Sequence, residues 1–119
     1  MEIISNKKYD LKQRTFLFAI NVIKYVDNLP RKVSGIEIGR QLIRSASSVG
    51  ANYIEADESL SKKDFVMRIK ICKKEAKELQ YWLQLNEPRT EDQRSKTQLI
   101  DESTQLVKIF ATIIKYSNE

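Results

Sequence analysis

Apolar positions recur along this chain at helical spacing, and no segment alternates with the period of two that a half-buried strand needs. The clearest run is Phe65, Ile69, Cys72, Ala76, Leu79 and Leu83. Its steps alternate between four and three, the seam of a helix packed lengthwise on others. Near the end of the chain Leu99, Ser103, Leu106, Phe110 and Ile113 form a second seam, flanked by Ile100, Val107 and Ile114. Earlier, Gly39, Leu42, Ile43, Ala46, Val49, Gly50 and Tyr53 share one side of a helix. Three of these seven are Gly or Ala, so a neighbouring backbone can come close. The first helical stretch differs. Leu11, Phe16, Leu17, Phe18, Ala19, Ile20, Val22, Ile23, Tyr25 and Val26 cover more than one face. A helix apolar this widely is buried on two sides, here against its own bundle and against another subunit.

The punctuation between these runs is that of helices. Asp10 with Gln13, Ser34 with Glu37, Ser61 with Asp64 and Thr90 with Gln93 all read as caps. Leu29-Pro30 ends the first run, since proline lacks the amide hydrogen and its predecessor avoids helical angles. The expected helices span 11–28, 35–59, 62–85 and 91–116, in a single domain over residues 1–119. Residues 1–9 read as a loosely held leader, and residues 116–119 as a frayed end. Short connections make successive helices antiparallel neighbours. The expected fold is therefore all-α, an up-down-up-down antiparallel four-helix bundle, with the spare apolar surface pointing to a homo-oligomeric ring.

Composition changes the picture in three ways. Gly (3) and Pro (2) are scarce, which favours helix. There is no His, so the commonest general base and metal ligand is missing. The one Cys, Cys72, sits on the core seam. Neighbouring carboxylates such as Asp57/Glu58 and Asp101/Glu102 point to different sides of a helix, and no Gly-rich phosphate loop is present. The expectation is a protein that is not an enzyme, with no cofactor and no metal site. A single Cys, an opening stretch without an apolar h-region and no long apolar run place it in the cytoplasm, away from membranes.

The net charge of +5 is distributed unevenly. Residues 1–34 carry seven basic and three acidic groups, and residues 61–88 carry seven and four. On the third helix Lys63, Lys70, Lys74 and Lys77 cluster opposite the core seam, with Tyr81 among them. Lysines neutralise phosphates, and an aromatic ring among them can stack on an unpaired base. The same stripe also reads as a solvated face, diluted by Glu75 and Glu78. Met67, Ile71 and Trp82 form a smaller apolar flank, too far round for the core seam, and are assigned to a contact with another subunit. Glu37, Gln41, Arg44, Ser48, Asn52 and Glu55 make a polar row on the second helix. The row reads either as a network fixing helix register or as a binding site. Arg44 and Glu55 are too far apart to pair, so each needs a partner elsewhere.

Gln41-Leu-Ile-Arg-Ser-Ala-Ser-Ser-Val-Gly-Ala-Asn52 followed by Glu55 resembles the signature of the bacterial four helix bundle protein family. Its first members are encoded by intervening sequences in 23S ribosomal RNA genes, and the family is also described as ribosomal-protein-like. Ser61-Lys-Lys-Asp-Phe65 and Lys74-Glu-Ala-Lys-Glu-Leu-Gln-Tyr-Trp-Leu83 match its third helix, and Asp10-Leu11 with Leu29-Pro30 match its first. The signature positions fall on Arg44, Ser45, Ser48, Asn52 and Glu55, with no catalytic role attached. Ala56 stands where many members have Gly. The resemblance implies a homopentamer with a central channel. It also implies similarity to the accessory variability determinant protein of diversity-generating retroelements, a basic barrel that binds nucleic acid and partners a reverse transcriptase. Two functions are therefore expected as alternatives: binding of RNA or single-stranded DNA through basic helix faces, or a structural adaptor that scaffolds a reverse transcriptase or another protein.

Overall fold

The computed structural model describes residues 10–118, which form helices Leu11–Asp27 (α1), Val33–Asp57 (α2), Lys62–Leu85 (α3) and Gln93–Ser117 (α4). The leader expected over residues 1–9 lies outside the described residues. Asp10 caps α1 by accepting the Gln13 amide at 2.8 Å, and Ser61 caps α3 by accepting the Asp64 amide at 3.1 Å. The other two expected caps are not used. Helix α2 starts at Val33, with Lys32 at the N-cap and no side-chain cap bond, so Ser34 lies inside the helix. Pro30 makes this early start possible: its carbonyl accepts the Lys32 amide at 2.9 Å and turns the chain before Ser34 is reached. At Thr90 the chain enters through a 3-10 turn, Thr90–Asp92, and α4 proper begins at Gln93 without a side-chain cap. The expected frayed end is helical as far as Ser117.

The helices pack in chain order as an antiparallel bundle, α1 on α2, α2 on α3 and α3 on α4, closed by a slighter contact of α4 with α1. Helices α1 and α3 are diagonal. The core is the set of seams read from spacing. Val22, Leu42, Val49, Ile69, Cys72, Ala76, Leu79, Leu83, Leu106 and Phe110 are fully buried. Gly39 is what lets α2 approach α1, because a Cβ there would stand 2.9 Å from Val26 Cγ1. The α1–α4 seam is tied by Arg14, whose Nε donates to Glu102 Oε2 at 2.7 Å and whose Nη2 donates to Glu102 Oε1 at 2.9 Å. Gln105 Oε1 accepts from the same Nη2 at 3.0 Å.

At one end of the bundle the α3–α4 connection is bound to α1. Tyr25 donates its buried hydroxyl to Asn86 Oδ1 at 2.5 Å, Arg89 Nε donates to the Asn28 carbonyl at 3.0 Å, and Lys96 Nζ donates to the Asn86 carbonyl at 2.8 Å. Burial first, then the charges of Asp92 and Glu87, push the Tyr25 phenol up to about 12. Burial likewise pushes the Cys72 thiol up to about 12; its Sγ lies 3.4 Å from the Val49 carbonyl oxygen. Both shifts favour the neutral form in the folded state. Their stabilisation is complete below the ordinary values of 9.0 for Cys and 10.0 for Tyr and is lost as pH rises through about 12. Thermal melts followed by circular dichroism should hold a constant midpoint up to about pH 8.5 and fall steadily above it. The Cys72→Ala variant should show a shallower fall.

Candidate nucleic-acid interface

Helix α3 has three surfaces, and the structure sorts its charges among them. Its core seam faces inward. One edge meets α2, and there Glu75, buried, and Glu78 turn to Arg44. Arg44 Nη1 lies 3.3 Å from Glu75 Oε1, and its Nη2 pairs with Glu78 Oε1. Arg44 also donates to Gln41 Oε1 at 3.1 Å and to Ser45 Oγ at 3.1 Å. Two turns along the same edge, Asn52 Nδ2 donates to the Ser48 carbonyl at 2.9 Å and to Ser48 Oγ at 3.0 Å. Arg68 of α3 donates to Asn52 Oδ1 at 3.0 Å and lies 3.9 Å from Glu55. The partners that Arg44 and Glu55 lack on their own helix are thus Glu75, Glu78 and Arg68 of the next one. Arg44, Ser45, Ser48, Asn52 and Glu55 are brought together as one α2–α3 seam. These pairs tie α2 to α3, and removing Arg44 would leave the buried Glu75 carboxylate without its partner.

The opposite edge of α3 meets α4, where Gln80 Nε2 donates to Thr104 Oγ1 at 2.7 Å. No acid of α3 lies on this edge. Lys70, Lys73, Lys74 and Lys77 line a shallow concavity of about 500 Å³ with Ile114 of α4. Among the described residues, none of these lysines and not Lys63 takes part in an ion pair; the cations that do are Arg14, Arg40, Arg44 and Arg68. Lys63, Lys70, Lys74, Lys77 and Tyr81 are all exposed. Lys63 sits seven residues before Lys70, about 10 Å along the helix, and does not line the concavity. Tyr81 stands edge-on to Trp82, with ring centroids 5.2 Å apart.

One lysine of this face, and the placing of two glutamates, are missing from the sequence reading. Lys73, half-buried, lines the concavity. Its signal was available, since Lys70, Lys73, Lys74 and Lys77 are an i, i+3, i+4, i+7 set. Glu75 and Glu78 do not dilute the lysines, because both are turned to the far edge by Arg44. The apolar flank is also divided. Trp82 packs against the core and donates its indole N–H to Glu78 Oε1 at 3.2 Å, while Met67 stays 47% exposed and Ile71 half-buried. Larger exposed apolar surface lies on α1 and α2, where Phe16 is 64% and Ile36 51% exposed, and Ile23 and Ile54 are exposed to a lesser degree.

A model of the family described as 23S rRNA-intervening sequence protein matches residues 7–112. The chain belongs to that family. Among solved structures the chain is similar to a protein of unknown function from the S23 ribosomal protein family of Bacteroides thetaiotaomicron VPI-5482. The two are 31% identical, with a TM-score of 0.78, over 89% of this chain and 99% of the other. No curated protein matches the chain. The family match runs into all four helices and takes in the bonded α2–α3 seam and the four lysines of α3, and it stops two residues short of Ile114. Among its described residues no helix of this family member is long and apolar enough to cross a membrane, and no group of three or more Cys, Asp and Glu side chains gathers as metal ligands.

Proposed function

We propose that this intervening sequence protein is a non-enzymatic, cytoplasmic homo-oligomer that binds nucleic acid through the basic face of α3. The observation that supports this most is the separation of charge on α3. Glu75 and Glu78 are held by Arg44 on the α2 edge, which leaves Lys70, Lys73, Lys74 and Lys77 without a counter-charge on the α4 edge. A helix that needed only solubility could intersperse the two signs on one face. Segregation instead builds a positive strip about 10 Å long, matched to a run of phosphates.

Binding through four lysines releases counterions, so affinity should fall with salt. A plot of log affinity against log salt should have a slope of about −3 for a single strand and about −3.5 for a duplex. Fluorescence anisotropy across a salt series reads this directly, and an affinity indifferent to salt would remove the reading.

Self-association rests on a different feature. Phe16 and Ile23 of α1 and Ile36 and Ile54 of α2 leave an apolar face uncovered in the single chain, more than lone exposed residues account for. A second copy would cover it, and the resemblance to the family sets the expected number at five. Light scattering should give a mass several times 13.9 kDa, and Phe16→Glu with Ile36→Glu should bring it down to the monomer. A monomeric wild type would leave that face to a different protein, the adaptor role.

A further inference from the structure

We propose that the groove between α3 and α4 takes an unpaired strand of nucleic acid and not a duplex; this rests on the nucleic-acid reading above and narrows its ligand to one form. The first reason is width. The concavity is about 500 Å³, bounded by four lysines of α3 and Ile114 of α4, room for one chain and no more. A duplex, whose major groove alone is about 12 Å wide, rests across both helices and meets only what projects from them. Lys73 does not project. It is half-buried and lines the concavity beside Ile114. Only a ligand that enters the groove uses it.

The second reason is chemical. The α4 side of the groove is Ile114, half-buried and packed against the core. A phosphate gains nothing by descending onto an isoleucine. The face of a base does, and in a duplex that face is already stacked. Lysines on one side and an isoleucine on the other fit a ligand whose backbone is charged and whose bases are free. Tyr81 is the third reason. It is exposed one helical turn beyond Lys77, in line with the strip, and braced edge-on by Trp82. Trp82 is fixed in turn by the core and by Glu78. An exposed ring held in place offers a surface for one unpaired base, worth about a tenfold change in affinity.

The test uses the full chain, one mixed-sequence RNA strand, the DNA strand of the same sequence, and each annealed to its complement, at one low salt concentration. Trp82 is the only tryptophan and reports on its neighbour. Both unpaired strands should quench its fluorescence and bind about tenfold or more tighter than either duplex. Tyr81→Ala should weaken the unpaired strands by about tenfold and so erase the preference, and Lys73→Gln should weaken the unpaired strands more than the duplexes. Equal or tighter binding of the duplexes, with the salt slope intact, overturns the inference and leaves nucleic-acid binding standing. If no strand and no duplex binds, the inference and the reading beneath it fall together.

Discussion

Reversing Lys70, Lys74 and Lys77 to Glu together should reduce nucleic-acid affinity by about a thousandfold or more at low salt while leaving the helices intact. Each reversal removes a phosphate contact and puts a like charge in its place, and the sequence-independent term carries most of such binding. The three residues are exposed and unpaired, so the fold does not depend on them, and surface changes of this kind usually move stability by less than about 0.5 kcal/mol. The control is Glu78→Lys, which adds positive charge on the opposite edge of α3. It should disturb the Arg44 seam and do little for binding, because that edge faces α2. Anisotropy titrations of the wild type and the two variants with one RNA strand read both effects. Equal loss of binding in the triple variant and in Glu78→Lys would mean that the α4 edge has no special part.

The largest effect on stability should come from Phe110→Ala. Phe110 is the bulkiest of the fully buried side chains and belongs to the core cluster on α4. Truncating a buried Phe costs about 3–5 kcal/mol through lost transfer and the cavity left behind. That is a large part of the roughly 5–15 kcal/mol that holds a domain folded. The midpoint of thermal unfolding should drop by about 10–20 °C. A loss under about 1 kcal/mol would mean that α4 is not packed on α3 as described.

Much of this architecture is legible without coordinates, for a physical reason. The seams Phe65–Leu83 and Leu99–Ile113 are set by the helical repeat alone, and a repeat needs no knowledge of neighbours. Caps at Asp10 and Ser61 are local for the same reason, a side chain meeting an amide three residues on. Ser34 misleads because the Pro30 turn brings the chain into helix two residues earlier, and that geometry belongs to the loop. Charged residues divide similarly. The lysine stripe is visible as spacing. That Glu75 is buried against α2 is not, since its place depends on Arg44, thirty-one positions away. The same holds for Trp82. Its angle on the helix puts it outside the core, yet its length carries the indole back to Glu78 and the packed interior. Long side chains escape a wheel drawn from α-carbons.

Because α1 meets α4 only slightly, and one guanidinium secures that join on its far side, α1 is the part of the bundle with least to lose by detaching. Its amides should exchange with solvent through an opening that leaves the other three helices assembled, which hydrogen exchange would read as lower protection in α1 than in α3. Proteases therefore meet the chain first in this seventeen-residue segment. Any companion that settles on the outer side of α1 closes that route and lengthens the lifetime of the whole molecule.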